Sequence, residues 1–524
     1  MSISISKRID ALPLTPLVLR VLLITGIGWM FDAMDQGMVS GILAAIGEDP
    51  NWAIGLTEKT FLISSGVVGM IIGAALSGIA ADRWGRRTVI VTTLLIFSLG
   101  SALCGMAPNY VSLLIFRFIT GLGLGGELPV ASTLVSEFSP VKSRGRNVVI
   151  LESFWAWGWI VAALVAYLAI PVYGWRVAFF IGAVPALFAA VLRFAVPESP
   201  RYLEAQGRHT EANALVHQME VQAGVATKET LAEGAAKNAA SNKQSNELLS
   251  ESIKQEREPF LASLKSLFSG EHLRSTLVLW VLWFGINLGY YGFVLWTPSL
   301  LLAQGFTLTK SLEFVLIMCF AQLPGYFLAA YLIEKLGRKP VLAGFFLGTA
   351  FAAWFFGQAG SDGQILAAGC LLYFFALGAW GCVYSYTPEL YPTKIRGLGV
   401  GWAASFGRVG TLVAPFLLPA LYAFFGSENG FSILFVLLTV VFAVVALVVV
   451  IFGRETMNVA LDTSFASLKD KDGKQPSALA TVWNNIKSSK LDLAQAALSA
   501  VLLLLLLVFW FVLWAALELN MVVF

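Results

Sequence analysis

The chain has 524 residues, 57% of them hydrophobic and only 13% charged, with 48 glycines and a mean hydropathy of +0.76. That balance excludes a water-soluble globule. Apolar runs of about 20 residues, each able to cross roughly 30 Å of hydrocarbon, recur throughout, whereas the alternating ten-residue segments of a barrel do not, so an all-α polytopic membrane protein is predicted. A net charge of +3 leaves no nucleic-acid footprint.

Taken in chain order, the predicted spans 1 to 12 lie near 17–46, 60–81, 88–108, 111–136, 148–171, 175–195, 275–303, 311–333, 341–360, 364–388, 397–425 and 431–453. Basic residues fall on alternate loops. Arg83, Arg86, Arg87, Lys142, Arg144, Arg146, Lys335, Arg338, Lys339, Lys394 and Arg396 mark one side, against Lys59, Arg176 and Lys310 on the other. The positive-inside rule therefore predicts that both ends of the twelve-span unit, and with them the N-terminus, are cytoplasmic. Lys7 and Arg8 precede an apolar run too long and too acidic for a cleavable signal.

Five segments follow: a six-span bundle at 1–197, a polar cytoplasmic linker at 198–274, a second six-span bundle at 275–455, a polar tail at 456–490 and a last apolar segment at 491–524. Within the linker, Glu198 to Glu220 suits short amphipathic helices, while Gly224 to Glu258 has a disorder-like composition. The last segment is long enough for an extra C-terminal transmembrane helix, an anchor or an oligomerisation helix on a unit that works as a monomer. Cys104, Cys319, Cys370 and Cys382 lack paired spacing, and His209, His217 and His272 build no metal-ligand cluster. Neither a disulfide framework, a metal nor any other cofactor is expected. The G-x-G-x-G-G string before Glu127 follows no strand and reads as close helix packing rather than a nucleotide fingerprint. No Walker loop or hydrolase triad occurs, so an enzyme is not expected.

Charges inside the spans point to function. Each ionised Asp near a helix centre costs roughly 2.5–3.5 kcal/mol, so Asp32 and Asp35 in span 1 demand a partner or a watery cavity. Spaced i, i+3, they share a helix face. Glu127 and Glu152 are further acids, in spans 4 and 5, with a relay or a pairing to Arg146 open for both. Arg408 in span 11 offers a planar fork matched to a carboxylate, or else neutralises one of the aspartates. Trp155, Trp159, Tyr290, Tyr291, Trp296, Trp380, Tyr384 and Tyr386 supply flat faces for an aromatic substrate, and Asn287 and Gln322 are polar within spans 7 and 8.

The two halves echo each other. GIAADRWGRR (78–87) returns as YLIEKLGRKP (331–340), and SEFSPVKSRGR (136–146) as PELYPTKIRGLG (388–399). Acids and arginines recur together there, so Asp82, Arg83, Arg86, Arg87, Glu137 and Arg144, with Glu334, Arg338, Glu389 and Arg396, form a candidate cytoplasmic gate. These loops resemble the D-R-x-G-R-R and E-x-x-x-x-x-x-R-G signatures of the major facilitator superfamily. VPESPRYL (196–203) and RFITGLGLGGELPV (117–130) resemble its sugar-porter-like branch. GWMFDAMDQG, GLGLGGELPVASTLVSEFSP, LESFWAWGWIVAAL and YTPELYPTKIRGLGVGWAASFGRVG are similar to the bacterial niacin transporter group, over roughly residues 17 to 455.

That resemblance implies two six-helix bundles in a pseudo-twofold arrangement and proton-linked uptake of a small aromatic carboxylate through the bacterial inner membrane by alternating access. It also implies that Asp35 couples protons with Arg117 as partner, and related symporters carry a second acid at the place of Asp32. Glu127 and Glu152 join them as proton-carrying candidates only as acids within the spans. Two alternatives stay open. A sugar or polyol porter is disfavoured by WFGINLGYYG in span 7, which lacks the family's Gln-Gln pair, and by Arg408. A non-transporting sensor on a carrier scaffold is the other.

Overall fold

The computed structural model describes residues 5–52, 54–225, 267–268, 272–391 and 393–456. The expected thirteenth span at 491–524 lies outside these residues, as does most of the linker. Among the described residues, twelve helices are long and apolar enough to cross a membrane: Pro16–Gly47, Leu56–Gly78, Arg86–Gly105, Tyr110–Phe138, Ile150–Tyr173, Arg176–Ala195, Leu273–Val294, Leu308–Leu336, Arg338–Gly357, Asp362–Glu389, Leu398–Tyr422 and Gly430–Phe452. These are spans 1 to 12. No strand occurs among the described residues, as expected where backbone polar groups must be satisfied within each segment.

Local chemistry sets the helix ends. Thr15 Oγ1 accepts from Val18 N at 3.4 Å ahead of Pro16, and Asn109 with Ser112 forms a reciprocal capping box at the start of span 4. Spans 2 and 3 are separated by Gly85 at φ 95°, and spans 8 and 9 by Gly337 at φ 97°. An L side chain is strained in that conformation, so the repeated glycine is needed at both turns. Apolar stretches expected as single helices are broken by prolines. Span 7 stops at Val294 and a separate helix runs from Thr297 to Ala303, with Pro298 in its first turn. Span 6 is likewise interrupted ahead of Pro185.

The residues fall into two compact units, bounded as Met1–Pro259 with Gly305–Leu316, and Phe260–Gln304 with Ile317–Phe524. In the first, spans 1 and 5 pack closely, as do spans 2 and 4; in the second, spans 7 and 11 do. Glycines permit it. A Cβ on Gly69, Gly73, Gly121 or Gly125 meets backbone atoms of the facing helix, so the glycine string before Glu127 is a packing surface against span 2.

The polar segment after span 6 begins with the expected short helices, Pro200–Ala205 and His209–Gln222. An N-terminal helix, Ile5–Ala11, docks on them. It buries Ile5 and Ile9 in a cluster with Leu203, Ala212, Val216 and Met219. Arg8 grips Glu220 with two bonds of 2.8 Å, and Asp10 accepts from Arg144 at 2.7 Å and Arg201 at 2.9 Å. At the far ends of the spans, Trp175 Nε1 donates to Asp49 at 3.0 Å, and the Arg176 guanidinium covers the rings of Trp52 and Trp175. The Asn51 amide and the Trp175 indole together hold the Asp49 carboxyl below its ordinary range.

Candidate transport site

In the first unit, spans 1 and 4 bring the acids together in two different ways. Asp35 is buried and satisfied: its Oδ2 accepts from Arg117 Nη1 at 2.9 Å, and its Oδ1 lies 3.1 Å from Ser101 Oγ. Ser101, on span 3, shares its single proton between this carboxylate and the Phe179 carbonyl at 3.0 Å. A buried ion pair holds only if its lone pairs are filled, and Ser101 fills one that Arg117 leaves open. Nothing in the serine's apolar sequence context marked it.

Asp32, one turn before, is fully buried, and among the described residues no donor reaches either oxygen. The same is true of Glu127, which lies against it from span 4. Glu127 thus faces Asp32; the side chain of Arg146, its other suggested partner, is outside those described. Glu152, on span 5, is also buried and has no ion pair or hydrogen bond among the described residues. Trp155 packs against Trp29 with the rings tilted and their centroids 4.9 Å apart, and Trp159 is packed against span 1 where Gly37 leaves room.

In the second unit, span 11 carries Arg408 with no ion pair or hydrogen bond among the described residues, within electrostatic reach of the Tyr291 and Tyr384 hydroxyls. Beside it is an aromatic wall. Trp283 meets Tyr384 edge-on at 5.3 Å and Trp380 at 5.8 Å, while Trp380 stacks on Tyr384 at 5.7 Å. Tyr290 packs edge-on against Tyr291 at 5.3 Å and Trp380 at 6.0 Å. Asn287 links spans 7 and 11, accepting from Thr411 Oγ1 at 2.8 Å and donating to the Trp283 carbonyl at 2.7 Å. Gln322 is fully buried, with both amide atoms unpartnered among the described residues. Trp283 and Thr411 escaped the sequence reading, because one tryptophan or threonine in an apolar helix carries no signal of its own. Trp296 is buried past the break in span 7, and Tyr386 is bound to the backbone of Arg454, so it belongs to a helix end.

Residues 30–464 match the family model described as sugar (and other) transporter. The chain belongs to that family. The niacin transporter NiaP of Acinetobacter baylyi is 46% identical over 457 residues, covering 87% of this chain and 98% of the relative. A putative niacin/nicotinamide transporter NiaP of Bacillus subtilis is 40% identical over 443 residues, covering 84% and 98%. Among solved structures, the xylose transporter XylE of E. coli superposes with a TM-score of 0.62 at 22% identity, over 84% of this chain and 98% of that one, which shows the fold alone. The protein is therefore a multi-pass membrane transporter of the major facilitator fold.

The repeat of this sugar-transporter-family fold is explicit at the basic ends of the spans. In the first unit, Arg86 pairs with Glu137 at 3.3 Å, and Glu198 Oε1 accepts from the backbone amides of Arg86 and Arg87 at 3.0 and 3.3 Å. In the second, Arg338 pairs with Glu389 at 3.1 Å, and Glu455 accepts from the amides of Arg338 and Lys339 at 2.9 and 3.1 Å. Each glutamate thus sits on the N-terminus of a span, where free amides and the helix dipole favour an anion. Glu198 and Glu455 had not been marked as gate candidates, though VPESP and GRETM place them alike. Of the other gate candidates, Arg144 binds Asp10 and the Ser136 carbonyl, Arg83 projects over Trp84 and Glu334 is exposed. Arg87 engages Glu198 through its amide; the side chains of Asp82 and Arg396 are outside those described.

Proposed function

We propose that this protein is a proton-coupled symporter of the bacterial inner membrane that takes up nicotinate, or a closely similar aromatic monocarboxylate, by alternating access. The observation that carries it is Arg408: a cation inside a span, held beside stacked indole and phenol rings, with its guanidinium free to grip an anion. Charge-assisted, bidentate binding of a carboxylate supplies orientation, and the flat faces of Trp380 and Tyr384 supply stacking for a pyridine ring. Asn287 and Gln322 add hydrogen-bonding groups. Trp155 and Trp159 are the candidates of the first unit. The two niacin-named relatives, each covered over 98% of its length, support the same substrate.

Asp35 and Arg117 are read as the proton-coupling pair: when helix movement separates them, Asp35 takes a proton, and when they rejoin it gives the proton up. The arginine-rich ends are read as cytoplasmic, with the Arg86–Glu137 and Arg338–Glu389 pairs as the gate. Uptake of radiolabelled nicotinate by cells lacking their own carriers, with and without a protonophore, tests the reading. Accumulation abolished by the protonophore is expected; uptake no greater than in vector controls sinks it. The two unpartnered amide atoms of Gln322 suit a sugar hydroxyl as well, so competition by hexoses but not by benzoate would instead favour a sugar or polyol porter.

A further inference from the structure

Asp32 and Glu127 form an intramembrane pair of acids that the Asp35–Arg117 cycle leaves unused. Three observations define it. Both side chains are fully buried, and among the described residues none of their four carboxyl oxygens has a hydrogen-bond donor. Glu127 is aimed at span 1: its Oε1 lies 2.7 Å from the position a Cβ would occupy on Gly28, so only glycine there admits the carboxyl to the face that carries Asp32 one turn on. Among the described residues the charged neighbours offer no relief, because Asp35 on span 1 is itself an acid and the Arg117 guanidinium of span 4 is bound to it. Two carboxylates in contact, out of water and without a cation, cannot both stay ionised.

We propose that Asp32 and Glu127 constitute a second proton site, distinct from Asp35, so that each monocarboxylate enters with two protons and carries one net positive charge inward. The step is a protonation with no other bond change. A proton from the outer aqueous phase joins one oxygen of the pair and leaves to the inner phase as the bundle alternates, while the other carboxyl of the pair serves as hydrogen-bond partner to the acid form. Gly28 is a positioning residue for Glu127. This rests on the reading of the protein as a proton–carboxylate symporter.

The test uses the full-length protein in proteoliposomes, with membrane potential clamped by valinomycin and potassium, and radiolabelled nicotinate as the probe. For one net charge per nicotinate, the steady-state accumulation ratio changes about tenfold for every ~60 mV of inside-negative potential. Wild-type accumulation that ignores the potential overturns the proposal without any variant being needed. D32N and E127Q are expected to lose the potential-driven component while uptake driven by a pH gradient persists. Voltage dependence retained in both also overturns it. So does a voltage dependence that disappears when sodium is replaced by choline at constant pH, since the acids would then hold a sodium ion. No nicotinate uptake by the wild-type protein under any gradient would instead remove the symporter reading, and this proposal with it.

Discussion

At the scale of single residues, the buried charges differ in how far they are satisfied, and that decides what each substitution does. Arg408 has no ion pair among the described residues, so on the proposed function its removal takes away a ligand contact rather than a strut. R408K keeps the charge but loses the planar fork, and the loss of one charge-assisted bond, about 1.5–3 kcal/mol, raises the KM for nicotinate roughly 10- to 100-fold with the transporter still inserted. Unchanged KM in R408K excludes the arginine as the carboxylate clamp. Asp35 is instead fully engaged by Arg117 and Ser101. D35N mimics the protonated aspartate that has let go of Arg117, so the empty transporter cannot return and net accumulation of nicotinate is abolished whatever the Asp32–Glu127 pair binds, while exchange of labelled for unlabelled substrate persists. A D35N transporter that still concentrates nicotinate transfers the role to Asp32. The paired aspartates of span 1 were visible as a cost in the sequence, since two acids in thirty apolar residues need partners. Their division of labour was not, because which acid meets an arginine and which meets another acid depends on the side chains that spans 3 and 4 present, and helical periodicity within span 1 is the same for both.

At the scale of elements, the glycines of span 4 decide how closely helices approach. A Cβ on Gly125 falls against the backbone of Met70, and one on Gly121 against the backbone of Gly66. Backbone cannot rotate aside as a side chain can, so G125A costs about 1–3 kcal/mol or more through overpacking, whereas G78A, with open space around its Cβ position, costs little. Thermal unfolding of the two variants in detergent, compared by fluorescence-detected size exclusion, measures the difference; equal stabilities refute close helix packing as the reason for the glycine string. Span existence and type were legible from hydropathy and length. The breaks in spans 6 and 7 were legible only in retrospect, since Pro185 and Pro298 sit within unbroken apolar runs and proline is tolerated inside other spans here, at Pro324 and Pro388. The N-terminal helix was missed altogether: at seven residues it is too short to stand by itself, and its stability comes from docking Ile9 and the Arg8–Glu220 pair on the linker helices.

At the scale of the whole molecule, the duplication is structural as well as sequential. Gly85 with Glu198, and Gly337 with Glu455, build the same capped turn in each unit. Replacing either glutamate with alanine removes a side-chain cap worth about 1 kcal/mol. Because the two turns share no partner, E198A and E455A should lower stability additively within about 0.5 kcal/mol, as measured by thermal unfolding of the single and double variants; strong non-additivity contradicts two independent capped turns. The sequence by itself determined the class, the twelve spans, the repeat and the arginine-rich side, because crossing a membrane imposes a length and a polarity on every segment and a charge bias on every loop. Tertiary structure decided the rest: that Asp35 meets Arg117 and Ser101, that Glu127 turns to Asp32, and that Trp283 joins Trp380 and Tyr384 beside Arg408. Those contacts join residues tens to more than a hundred positions apart, and no local pattern encodes which faces of two apolar helices will meet.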